Sequence, residues 1–125
     1  MIKLNKKYIY NNTIRLIFNT IYKKYPKNVF LSNSKLSNNG KIRKYTFEDV
    51  KKEITRNITF FKKNNFHIGD RIAIMVGNTP EYFILKLSLN YYGLCCVPIN
   101  KELSINEITY ILDNSDSKYL VISRN

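Results

Sequence analysis

The sequence predicts an α/β fold with a leading helix, a β-hairpin and then a parallel βαβαβ layer. Three observations in its second half carry this prediction. Residues 72–76 are all apolar, which is typical of a strand buried on both faces of a parallel sheet. After a break at residues 77–81, a mostly apolar stretch at 82–92 is long enough for a helix. A second apolar run, 95–99, follows, so strand, helix and strand succeed one another as in a βαβ unit.

We expect the leading helix to begin at Asn12 or Thr13 and to end before Pro26. Its apolar side chains recur at helical spacing, at Ile14, Ile17, Phe18, Ile21, Tyr22 and Tyr25. Residues 1–11 lie ahead of this pattern, and we expect them to form a loosely ordered segment.

A hairpin and a long helix follow. Short runs at 29–31 and 42–45 flank the polar turn 37–40, which indicates two strands joined by a loose loop. Thr46 is placed to cap the long helix by accepting from a backbone N–H near Asp49, whose carboxylate favours the positive end of the helix. The predicted buried stripe of this helix is Phe47, Val50, Ile54, Ile58 and Phe61.

The βαβ unit begins at a turn formed by Gly69 and Asp70. Pro80 suits the first turn of the next helix, where its missing N–H is no loss, and Asn78 or Thr79 can supply the cap. We therefore expect the first parallel strand to end before residue 77.

The helix predicted at 82–92 is apolar nearly all round, because Lys86 and Asn90 form only a thin polar stripe. A helix of this kind is normally covered by other parts of the protein. Gly93 is placed to end it in the left-handed conformation. In the strand that follows, Pro98 should lie where no sheet N–H is required.

The last helix and strand complete the layer. Ser104 and Glu107 form a capping box, and the apolar stripe behind it is Ile105, Ile108, Ile111 and Leu112. Residues 119–122 are the final strand. The order of elements predicts three parallel strands joined by right-handed crossovers.

Length and composition limit the possible functions. A chain of 125 residues is one domain at most, so we expect a single domain over residues 1–125. An apolar content of 44% excludes a disordered chain, and no apolar run approaches the roughly 20 residues that cross a bilayer. The N-terminus lacks the apolar stretch of a secretory signal, so the expected location is cytoplasmic.

The net charge of +12 raises the alternative of a stand-alone basic module for nucleic acid or anionic surfaces. The lysines are scattered in pairs rather than clustered, and the sequence is rich in Asn, Lys, Ile and Tyr. A functional basic patch should be clustered. Biased composition therefore explains the charge better, and we expect no nucleic-acid partner.

Candidate catalytic residues are sparse. Cys95 and Cys96 are neighbours in a predicted strand, point to opposite faces and are interpreted as buried apolar residues in a reducing compartment. His67, the only histidine, has no Ser, Cys or Asp partner at a recognisable spacing. Acidic residues on the long helix, Glu48, Asp49 and Glu53, are interpreted as a solvated face and a cap.

Ordered short motifs run through nearly the whole chain. They are Lys24-Tyr25-Pro26 before Val29-Phe30-Leu31, Tyr45-Thr46-Phe47-Glu48-Asp49-Val50, Gly69-Asp70-Arg71-Ile72-Ala73-Ile74, Asn78-Thr79-Pro80-Glu81-Tyr82, and Gly93 followed by Val97-Pro98-Ile99-Asn100. Together they resemble the N-terminal segment of adenylate-forming (AMP-binding) ligases. Asn100, with Glu107-Ile108 and Tyr110-Ile111-Leu112, favours the acyl-CoA synthetase branch.

The resemblance implies part of an enzyme that activates a carboxylate with ATP and magnesium and passes the acyl group to a thiol, usually of coenzyme A. The fold it implies is a partial N-terminal subdomain of the ligase. In the family the phosphate loop and the catalytic lysine lie downstream of this region, and no glycine-rich phosphate loop occurs in the sequence. We therefore expect no catalytic, cofactor-binding or metal-binding residue here, and no bound cofactor or activity for the chain alone.

The matched residues are instead interpreted as scaffold. Gly69 and Gly93 serve turns, Asp70 makes turn bonds, and Arg71 pairs with Asp70 or with a helix C-terminus. The expected partner is the missing C-terminal remainder of the ligase, whether the chain is truncated, separately encoded or the product of a pseudogene. Such a segment should expose an apolar patch on the helix at 82–92.

Overall fold

A computed structural model describes residues 13–33 and 40–123. Its helices and strands, in order, are α1 (Ile14–Lys24), β1 (Val29–Ser32), β2 (Lys44–Thr46), α2 (Phe47–Lys63), β3 (Arg71–Met75), α3 (Pro80–Tyr92), β4 (Cys95–Pro98), α4 (Ile105–Ser115) and β5 (Tyr119–Ile122). The predictions for residues 1–11 and for most of the turn at 37–40 lie outside the described residues. The chain divides into two compact units, residues 1–53 and 54–125. The single partial domain over 1–125 stays a prediction.

Helix α1 of the first unit begins where one of the two predicted caps lies. The Oγ1 atom of Thr13 accepts from the N–H of Leu16 at 3.3 Å. Of the predicted apolar stripe only Phe18 is buried, while Ile14, Ile17 and Ile21 are exposed. The ring of Phe18 packs with other aromatic rings of this unit, Phe30 and Phe47, at centroid distances of 5.7 Å.

The hairpin forms as predicted, but its second strand begins two residues later than expected. Strands β1 and β2 are antiparallel, with Val29 opposite Thr46 and Ser32 opposite Lys44. Beyond Ser32 the backbone N–H of Asn33 still donates to the carbonyl of Arg43 at 3.1 Å. The side chain of Asn33 adds two bonds, since its Nδ2 donates to the carbonyl of Lys41 at 3.2 Å and its Oδ1 accepts from the N–H of Arg43. The side chain of Asn33 thus satisfies backbone groups of residues 41 and 43, directly before β2 begins at Lys44.

The predicted cap of α2 is confirmed. The Oγ1 atom of Thr46 accepts from the N–H of Asp49 at 3.2 Å, and the carboxylate of Asp49 accepts from the N–H of Thr46 at 2.9 Å. The bond from the Thr46 N–H contributes most to lowering the pKa of Asp49, followed by a bond from the Thr46 hydroxyl to the same carboxylate at 2.8 Å. The predicted stripe is also confirmed, since Phe47, Val50, Ile54 and Phe61 are buried and Ile58 is partly buried.

The second unit contains the predicted parallel sheet. Its strands lie in the order β4-β3-β5, with Ile72 opposite Cys96 on one side and opposite Tyr119 on the other. Both pairings are parallel, and helices α3 and α4 lie between successive strands in the chain. The connection from β4 to β5 must therefore pass the central strand β3.

One face of this sheet carries the main core. The buried cluster consists of Phe61, Phe66, Ile72, Ile74, Leu89 and Leu94. Helix α3 begins at the cap Thr79, with Pro80 in its first turn, and ends at Gly93 in the left-handed conformation (φ 98°), all as predicted. The expected exposed patch on this helix was wrong, because Ile84, Leu87, Leu89 and Tyr91 are buried and Phe83 is its one strongly exposed large apolar residue among those described.

Strand β4 differs from its prediction. It lies at an edge of the described sheet rather than inside it, so Cys95 is exposed instead of buried. The prediction for Pro98 is confirmed. Cys95 and Ile99 donate their N–H groups to β3, to the carbonyls of Asp70 and Ile74, both at 2.8 Å. Since direction alternates along a strand, the nitrogen of Pro98 points away from β3.

Within residues 13–33 and 40–123, none of the helices combines the length and the apolar character that crossing a bilayer requires.

Candidate functional site

Asp70 connects two parts of the second unit through its carboxylate. It is almost fully buried in the turn that leads into β3. Its Oδ1 accepts from the Nζ of Lys118 at 2.6 Å, and its Oδ2 accepts from the N–H of His67 at 2.9 Å. The bond from Lys118 is the largest cause of the lowered pKa of Asp70, followed by the bond from His67. The carboxylate thus ties the start of β3 to the start of β5, which confirms and extends its predicted role in the turn.

His67 does have an aspartate beside it, contrary to expectation. Its Nδ1 lies 3.8 Å from the Oδ2 of Asp70, three residues along the chain. This distance exceeds hydrogen-bond reach, and the imidazole is 77% exposed. Because both oxygens of Asp70 already hold other donors, the arrangement is a structural turn rather than a base held in position by a carboxylate.

Arg71 pairs at a helix end and not with Asp70. Its guanidinium lies 3.4 Å from the carboxylate of Asp116, the residue that ends α4 in the left-handed conformation. A helix C-terminus was one of the two partners predicted for Arg71, but Asp116 itself was not identified. Neither Lys118 nor Asp116 carries a local signal, since they lie 48 and 45 residues from their partners.

The acidic residues of α2 do not form a paired-carboxylate site. Asp49 is the cap described above, and Glu48 accepts from the Nζ of Lys27. The bond with Lys27 lowers the pKa of Glu48 and raises that of Lys27. Each of these two carboxylates therefore has a structural partner in the first unit.

The two thiols occupy different environments. Cys95 is exposed and Cys96 is partly buried, and neither is in a disulfide. Burial raises the pKa of Cys96. A raised pKa keeps a thiol protonated and unreactive, so Cys96 acts as a small packing residue.

We tested whether the described residues could hold ATP and magnesium. Across residues 13–33 and 40–123 no group of three or more His, Cys, Asp or Glu side chains is placed to bind a metal ion. In the same part of the chain no buried side-chain nitrogen or oxygen lacks a hydrogen-bond partner. A nucleotide site would be expected to leave such groups for its ligand. Neither observation marks a site for ATP or magnesium in that part of the chain.

Several large apolar side chains are exposed on α4 and β5 of the second unit. Ile105 is 74% exposed, and Tyr110, Leu120 and Ile122 are also exposed. A shallow hollow of about 390 Å³ is lined by Leu103, Asn106, Glu107, Tyr110 and Ile111. The carboxylate of Glu107 is occupied, since it accepts from the N–H and the hydroxyl of Ser104 in the predicted capping box, at 2.8 and 2.7 Å. The chemistry of this surface is therefore mainly apolar.

Comparison with known proteins identifies related sequences. Two curated relatives are the crotonobetaine/carnitine–CoA ligases of Citrobacter koseri, 32% identical, and Escherichia coli O127:H6, 33% identical, each over 87 residues. These alignments cover 70% of this chain and 17% of each relative. The chain thus spans about a sixth of the length of the curated relatives it matches. Because both relatives are ligases, the alternative of a nucleic-acid module is not supported.

Solved structures share the fold. Klebsiella oxytoca NpsA in complex with 3-hydroxyanthranilyl-AMSN superposes with a TM-score of 0.78 at 24% identity, over 90% of this chain and 22% of that one. A Mycobacterium tuberculosis fatty acyl CoA synthetase gives 0.74 at 22% identity, over 88% and 21%. The fold is therefore that of the N-terminal part of adenylate-forming ligases. A family model described as AMP-binding enzyme matches residues 18–125, and the chain accordingly belongs to the AMP-binding enzyme family.

Proposed function

We propose that this chain supplies framework for an AMP-forming acid–thiol ligase whose reactive groups lie outside these 125 residues. The complete enzyme would join a carboxylate to the α-phosphate of ATP with loss of pyrophosphate, and would then transfer the acyl group to a thiol with loss of AMP. The observation that carries the proposal is the family match over residues 18–125 together with the parallel order β4-β3-β5. ATP and magnesium would bind to other parts of the ligase, because no glycine-rich phosphate loop occurs in the sequence.

The proposed role of the matched residues is to fix the path of the backbone. Gly93 and Pro80 delimit α3, Thr46 caps α2, and Asp70 connects the start of β3 to the start of β5. A rigid framework has catalytic value because residues that act on a substrate must be held in place to within a fraction of an ångström.

Coenzyme A is the thiol that we propose for the complete enzyme. The curated relatives above are named as CoA ligases, and they are more similar in sequence than the NpsA structures, for which only the fold is shared. The proposed partner of this chain is the remainder of such a ligase. The free thiols of Cys95 and Cys96 are consistent with a reducing, cytoplasmic location.

The decisive experiment uses a chimera. The 87-residue segment of the E. coli ligase that matches this chain is replaced by its counterpart from this chain, and carnitine-dependent exchange between ATP and pyrophosphate is measured. We expect exchange by the chimera, and none by the 125-residue chain alone or by the ligase with the segment deleted. Exchange by the 125-residue chain alone would overturn the framework role. A folded chimera without exchange would overturn the assignment to an acid–thiol ligase.

A further inference from the structure

We draw no further inference here: the strongest candidate, the exposed apolar face of α1 formed by Ile14, Ile17 and Ile21, carries none, because nothing in the part of the chain that the structure describes shows what covers it.

Discussion

Replacing Leu89 by alanine should remove a large part of the stability of the second unit. Leu89 is fully buried on α3 and belongs to the cluster with Ile72, Ile74 and Leu94. Truncating a leucine in such a site costs the lost transfer free energy and also the cavity left behind, in total about 3 kcal/mol. For a unit of this size each kcal/mol lowers the melting temperature by roughly 4–8 °C, so a fall of roughly 12–24 °C is expected.

Urea and thermal unfolding followed by circular dichroism measure this loss. The matched control is Leu120→Ala, which deletes the same atoms from a side chain that is 42% exposed. Because Leu120→Ala leaves no closed cavity, it should lower the free energy of unfolding by less than about 1 kcal/mol. Equal losses for the two variants would refute the position of the core around Leu89.

Three further substitutions test local features by the same unfolding assay. Gly93→Ala should lower the free energy of unfolding by about 1–2 kcal/mol, because residue 93 has φ 98° and an added Cβ would lie 3.1 Å from the Cγ2 of Ile68. The control is Gly77→Ala, which has open space around it and should lower the free energy of unfolding by less than about half as much. Thr79→Ala removes the cap of α3 and should lower the free energy of unfolding by about 1 kcal/mol. An unchanged stability would show that Thr79 does not act as the cap. Asp70 has a pKa below its ordinary value of 3.8, so the stability it contributes is present above about pH 5 and is lost as the pH falls through its folded-state pKa. Asp70→Asn should therefore be less stable than the parent at pH 7, and the two stabilities should converge as the pH falls below the lowered pKa of Asp70. Parallel curves would show that the carboxylate does not contribute.

Features that depend on a few neighbouring residues were predictable. The capping box of Ser104 and Glu107 and the reciprocal bonds of Thr46 and Asp49 each join groups three residues apart. The left-handed Gly93 likewise follows from the helix immediately before it. In such cases the residue types alone determine which backbone groups can be satisfied, so the elements and most of their ends could be located before the structure was known.

Bonds that connect distant segments were not predictable. Lys118 was not singled out, although its bond to Asp70 joins the starts of two strands. Many lysines in this chain are equally plausible partners for a carboxylate. Only the register of β3 against β5, with Ile72 opposite Tyr119, brings the lysine that precedes β5 to the turn that precedes β3.

The two errors about burial have one physical origin. Apolar composition indicates that a segment requires cover, but the strand order decides which segments receive it. Because β3 is the central strand of the described sheet, apolar side chains of α3 are buried within the second unit. Strands β4 and β5 lie at the edges, where Cys95 and Leu120 are exposed. The apolar surface expected on α3 is thus found on α4 and β5. An unpaired strand edge is therefore a better indicator of where a sheet can be extended than the most apolar helix is.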